Sequence, residues 1–124
     1  MDYSKKYVSV KNDREFRFLF KKGKSIVNSA FVCYMRPNKR RVNRLGLVTS
    51  KKIGGAVKRT RARRVLKEAF RLLEPELRQK SGKRYDFIFV ARGRTPFMKS
   101  NKLYGIMKKL ITEQIGREND KEKG

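Results

Sequence analysis

Lys51-Lys52-Ile53-Gly54-Gly55-Ala56-Val57-Lys58-Arg59-Thr60-Arg61-Ala62-Arg63-Arg64 decides how this chain folds: seven of its fourteen residues are basic and none is acidic. The glycine pair ends the apolar run Leu45 to Thr49, so the chain turns there and resumes as a helix. From Ala56 to about Leu73 the helical period gathers Ala62, Val65, Leu66, Ala69 and Leu73 on one side. Thr60, Arg63, Arg64, Lys67 and Arg71 share the other. Half of this helix is core and half is charge. Free backbone amides at its start add positive potential where the basic residues begin, a place for phosphates to dock.

Upstream, Asn12 or Asp13 can cap a short helix near residues 13 to 22, with Glu15 in its first turn and Gly23 as its stop. Gly23 to Arg36 reads as extended chain in which Phe31, Cys33 and Met35 form an apolar face. Pro37 to Asn43 is a basic loop before the strand at Leu45 to Thr49. Downstream, Pro75 and the Gln79 to Lys83 stretch close the basic helix. Tyr85 to Ala91 is a central apolar strand, broken by Arg92 to Pro96. Leu103, Ile106, Met107, Leu110 and Ile111 mark a last amphipathic helix to about Ile115. The order describes an α+β sheet covered by helices, one domain over residues 1–124 with flexible ends at about 1–8 and 117–124.

Charge narrows the function. Thirty-five Lys/Arg against eleven Asp/Glu leave a formal +24, and the 52 residues from Phe16 to Lys67 hold seventeen Lys/Arg and no carboxylate. Salt bridges within that stretch cannot neutralise it, so the charge points to a polyanion. A surface built for solubility alone would mix both signs. Cys33 is the only cysteine and reads as a small buried hydrophobe in a reducing cytoplasm. The first ten residues hold no apolar run of signal-peptide length, and nowhere do eighteen apolar residues follow one another.

Catalytic groups are scarce. Without histidine, Ser-His and Cys-His nucleophile pairs are excluded. Asp13, Glu15, Glu68 and Asp86 are scattered, which suits caps and local ion pairs better than a two-metal nuclease site. Glu68, four residues after Arg64 and seven after Arg61, is placed for a local salt bridge. Gly54-Gly55 lacks the full spacing of a nucleotide-binding loop.

A second feature is aromatic. Phe16, Leu19 and Phe20 share one stripe of the first helix, and Tyr34 lies on the less apolar face of its strand. Helical spacing of this kind fits a core. The flanking Arg17, Lys21, Lys22 and Lys24 fit charge combined with base stacking, the recipe for single-stranded nucleic acid.

Gly54 to Arg64 followed by Lys67-Glu68, the run Gly46 to Lys52, the helix end Phe16 to Gly23, Phe31 to Tyr34 and Phe87 to Arg92 together resemble the protein subunit of bacterial ribonuclease P, over roughly residues 10 to 115. Gly55 stands where the family shows Asn, and the family's Arg-Asn-Arg triplet reads Arg59-Thr60-Arg61. Arg63 replaces a common Lys and Lys67 a common Arg, swaps that keep charge but change bidentate geometry. The resemblance implies an α-β-β-β-α-β-α sandwich, its four-stranded sheet holding a left-handed β-α-β crossover. It implies a ribonucleoprotein endonuclease that removes the 5′ leader of precursor tRNA, with catalysis in the large RNA. Lys51, Lys52, Lys58, Arg59, Arg61, Arg63, Arg64 and Lys67 would face that RNA, and Phe16, Phe20, Val32 and Tyr34 would line a leader cleft. Mg²⁺ would be held mainly by RNA phosphates, with no metal or cofactor site in the protein. The implied partners are ribonuclease P RNA and precursor tRNA, with no membrane and no obligate protein partner.

Three rivals remain. A ribosomal protein or RNA chaperone would share the charge but needs no cleft. A DNA-binding helix-turn-helix wants two helices about a tight turn, whereas the basic helix here lies between strands. A membrane-surface helix would expose the apolar side that this one needs for the sheet.

Overall fold

In the computed structural model, which describes residues 7–123 (side chains to 120), the chain runs β1 (Tyr7–Ser9), α1 (Asp13–Lys22), β2 (Lys24–Val27), β3 (Phe31–Asn38), β4 (Asn43–Val48), α2 (Ala56–Lys80), β5 (Arg84–Ala91) and α3 (Ser100–Lys123). Short 3-10 turns at Lys51–Ile53 and Thr95–Phe97 precede α2 and α3. The sheet has five strands in the order β1-β4-β5-β3-β2, with β5 at its centre. β1, β4 and β5 are mutually parallel, while β3 and β2 run antiparallel to their neighbours. A parallel pair needs a crossover, and α2 supplies the one between β4 and β5.

Side-chain alternation assigns the two faces. Phe31, Cys33 and Met35 of β3 and Phe87 and Phe89 of β5 are buried with Ala62, Leu66, Ala69, Phe70 and Leu73 of α2 and Leu103, Met107 and Ile111 of α3. The opposite face carries a smaller cluster of Val10, Leu19 and Ile88, with Phe16, Tyr34, Val48 and Val90 packed against it. Cys33 is buried as a hydrophobe, and burial pushes its thiol well above the ordinary range.

Four expectations need correction. The sheet has five strands rather than four, because the polar lead supplies Tyr7–Ser9 as an edge strand on β4. Pro37 lies within β3, beyond the last β2 pair, Lys24 with Met35; the strand has an edge there, where proline is tolerated. α2 continues through Pro75 to Lys80. The carbonyl left without its donor belongs to Arg71, which is exposed like Pro75 and can be hydrated. Glu74 meanwhile ties the helix down, accepting from Asn43 Nδ2 at 2.7 Å and Arg78 Nε at 2.8 Å, and Asn43 Oδ1 accepts the Tyr85 amide. Finally, α3 extends past Ile115 to Lys123, and Tyr7–Ser9 is paired. Of the ends expected to be flexible, residues 1–6 and 124 lie outside the described residues.

Candidate nucleic-acid interface

The basic helix is launched by a tightly specified turn. Ser50 Oγ accepts the Lys52 amide, Ile53 is buried, and Gly54 takes φ 135°, a conformation costly for any residue with a Cβ. Gly55, at the N-cap, offers no side-chain cap to the first amides of α2. Lys51, Lys52, Lys58, Arg61, Arg63, Arg64 and Lys67 are exposed, and Arg59 is half-buried with its Nη1 donating to the Gly54 carbonyl at 3.1 Å. Among the described residues no carboxylate pairs with any of these eight. Glu68, expected to pair with Arg64 or Arg61, pairs instead with Arg71. A helical acid finds its better partner toward the C-terminus, which leaves Arg61 and Arg64 uncompensated. Thr60 helps to orient Arg63, since its hydroxyl accepts from that guanidinium at 3.4 Å while Thr49 accepts from it at 2.8 Å.

The aromatic stripe divides when α1 docks. Asn12, rather than Asp13, caps the helix: Asn12 Oδ1 accepts the Glu15 amide at 2.9 Å and Asn12 Nδ2 donates to Glu15 Oε1 at 3.1 Å, a reciprocal cap. Leu19 points into the small core, Phe16 is half-buried and Phe20 remains 39% exposed. Phe16 lies against Gly46, where a Cβ would come within 2.7 Å of the ring, so a larger residue there would push the ring aside. The Phe20 and Tyr34 rings meet edge to face at 4.9 Å and 87°, with Phe16 and Phe20 at 6.4 Å. Val32 is one row further along the same face, in register with Val90, which pairs Val48, and with Val27 at the sheet edge.

Phe16 and Phe20 meet Arg63 at one open cleft of about 550 Å³, lined by Asp13, Phe16, Arg17, Phe20, Leu47, Val48, Thr49 and Arg63; Val32 and Tyr34, expected in the cleft, do not line it. An adjoining cavity of about 500 Å³ has Phe16 on one wall and Lys67 on another. Of the residues assigned to the RNA-facing helix, Arg63 thus reaches the aromatic cleft and Lys67 only the cavity beside it. Lys51, Lys52, Lys58, Arg59, Arg61 and Arg64 line neither cavity.

Sequence reasoning missed what holds α1 in place. Arg44 of β4 is buried, and its Nε and Nη2 donate to the two oxygens of Asp86 at 2.8 and 2.7 Å while Nη1 pairs with Glu15. Asn38 Nδ2 also donates to Asp86, at 2.8 Å. Bonding to Asp86, and secondarily to Glu15, holds the guanidinium proton more firmly than usual, against the opposing effect of burial. Asp86 and Glu15 are therefore not locally paired acids but ends of a bridge between the sheet and α1. The signal available in the sequence was a charge in each of two apolar strands, Arg44 and Asp86.

Comparison with known proteins places this arrangement. A family model described as Ribonuclease P matches residues 5–114. The ribonuclease P protein component of Thermoanaerobacter sp. strain X514 is 43% identical over 107 residues, covering 86% of this chain and 89% of that one. That of Caldanaerobacter subterraneus subsp. tengcongensis is 45% identical over 89 residues, covering 72% and 73%. Among solved structures, the Staphylococcus aureus RNase P protein superposes with a TM-score of 0.67 at 28% identity, covering 86% of this chain and 94% of that one. The Thermotoga maritima RNase P protein gives 0.61 at 25%, covering 88% and 96%. With its mixed α+β fold, basic crossover helix and sequence in agreement, the chain belongs to the ribonuclease P protein component family.

Proposed function

We propose that this chain serves as the protein subunit of a ribonuclease P ribonucleoprotein, binding the catalytic RNA through α2 and its preceding loop and holding the single-stranded 5′ leader of precursor tRNA in the aromatic cleft. The observation that carries this reading is the meeting of Phe16 and Phe20 with Arg17 and Arg63 around one open cleft, with Tyr34 edge-on to Phe20, beside an uncompensated basic helix. Rings stack on bases of any sequence, and the arginines neutralise the intervening phosphates. A ribosomal protein or RNA chaperone would have no use for the cleft.

In this reading the RNA performs the cleavage, and the protein's part is to position the leader and screen phosphate charge. Mg²⁺ belongs mainly to RNA phosphates. Among the described residues no group of three or more His, Cys, Asp or Glu side chains is placed to hold a metal ion. Precursor tRNA and ribonuclease P RNA suffice as partners, without another protein. Among the described residues no helix is long and apolar enough to cross a membrane. Work in the cytoplasm follows from the substrate.

Reconstitution tests the whole: at low Mg²⁺, ribonuclease P RNA should remove the leader of precursor tRNA faster with this protein than without it. Equal rates across protein concentrations would overturn the assignment.

A further inference from the structure

Outside the cleft the surface carries another open ring. Phe97 ends the Thr95–Phe97 turn that leaves β5, and it is 67% exposed. A single exposed apolar residue is ordinary, but three observations set this one apart.

Its mount is rigid. Thr95 is fully buried, its hydroxyl donating to the Ala30 carbonyl and accepting the Arg92 amide at 2.8 Å, and Pro96 beside it is buried. Arg94 is tied to Ser29 at 2.8 Å. The turn therefore presents the ring to solvent rather than leaving it free to fold inward.

Its surroundings are cationic. Lys58 Nζ lies over the ring at 5.5 Å from its centroid. Arg92, Arg94 and Lys99 are exposed in the same turn. From Phe87 to Thr112 the sequence holds six Lys/Arg and no Asp or Glu, a second acid-free stretch.

Its position extends the basic helix. β4 and β5 are parallel, so the loops leaving their carboxyl ends emerge at the same end of the sheet. One of these loops launches α2 and the other carries Phe97. The contact of Lys58 with the ring joins them.

We propose that Phe97 is a second stacking platform, separate from the leader cleft, that receives an unpaired base of the RNA facing α2, with Lys58, Arg92 and Lys99 neutralising the flanking phosphates. An aromatic face ringed by cations matches a base ringed by phosphates. A second copy of this chain fits poorly there, since two surfaces of the same sign would meet. The proposal rests on the reading of α2 as RNA-facing.

The chain contains no tryptophan, so Phe97→Trp places a single emitter at the site. Titration of that full-length variant with ribonuclease P RNA should quench the emission with the midpoint of binding. Phe97→Ala should weaken RNA affinity about five-fold or more, as loss of one stacked base does, Phe97→Tyr should restore it, and the urea midpoint should stay unchanged. Arg61→Ala serves as an independent probe of α2. Unquenched emission at saturation, with Phe97→Ala binding normally while Arg61→Ala weakens binding, overturns the platform and leaves the α2 reading intact. Normal binding by both variants overturns both. A change in sedimentation of Phe97→Ala without a change in RNA affinity makes the ring a protein contact and sinks the proposal.

Discussion

On one face of the sheet Phe31, Phe87 and Phe89 are sealed beneath α2 and α3, and on the other Phe16, Phe20 and Tyr34 stand half-open around α1. The residue classes are the same, so the difference lies in the cover. A helix rises about 1.5 Å per residue, so α2 and α3, at 25 and 24 residues, extend past 30 Å, while the ten residues of α1 span about 15 Å. Five strands spaced about 4.8 Å apart are wider than that. The short helix leaves uncovered a strip of sheet that ends in Val32, Val48 and Val90, and its own rings line the strip. A cleft arises here from incomplete cover rather than from a special motif.

Substitutions on the two faces should separate stability from binding. The largest effect is expected on the sealed face: Phe70→Ala empties a fully buried site that touches Tyr7, Phe87 and Phe89, and should cost about 4 kcal/mol of unfolding free energy in urea. A loss below ~1 kcal/mol would mean that this face is no better packed than the other. Next, Asp86→Ala strands the buried Arg44 and should cost about 3 kcal/mol, while loosening α1 enough to weaken leader binding as well. Stability loss without any leader effect would break the link between the bridge and the cleft. On the open face, Phe20→Ala should reverse the balance. It should cost under ~1 kcal/mol in stability, because Phe20 is partly exposed, yet about 1 to 3 kcal/mol in affinity for leader-bearing precursor, with mature tRNA unaffected. Equal losses for both RNAs would return the ring to a structural role.

The smallest effect is expected at Glu68, on the solvent side of α2. Its bond to Arg71 holds the carboxyl below its ordinary value of 4.5, so the stabilisation is present above that pH and disappears as pH falls through the lowered value. Glu68→Gln should therefore match the wild type in acid and fall only slightly behind near neutrality, with the gap closing in salt, since both partners are about half exposed. Thermal unfolding at pH 3 and pH 7 checks the sign.

The elements that could be read in the sequence are those carried by long periodic runs. The apolar side of α2, the Phe31, Cys33 and Met35 face of β3 and the central β5 all lie where alternation or helical spacing placed them. β1 was not legible, because a three-residue edge strand is too short to show a periodicity and exists only through its pairing with β4. The passage of α2 through Pro75 depends on Arg71 facing water and on Glu74 being held by Asn43, thirty-one residues away in sequence. Of the site, residue type and charge announced both the basic helix and the aromatic stripe. That Arg63 and Lys67 border the same cavities as Phe16 came from folding alone.

The sequence by itself determined what chemistry this protein can offer: a +24 chain without histidine, two long stretches free of acids, and rings spaced along a short helix. These are properties of composition and local period, and folding does not alter them. The tertiary structure alone decided which rings are core and which are cleft, which acid neutralises which base, and that Arg44 fastens α1 to the sheet. Each of these depends on residues brought together from distant parts of the chain, and a contact between distant residues leaves no periodic trace in the sequence from which it forms.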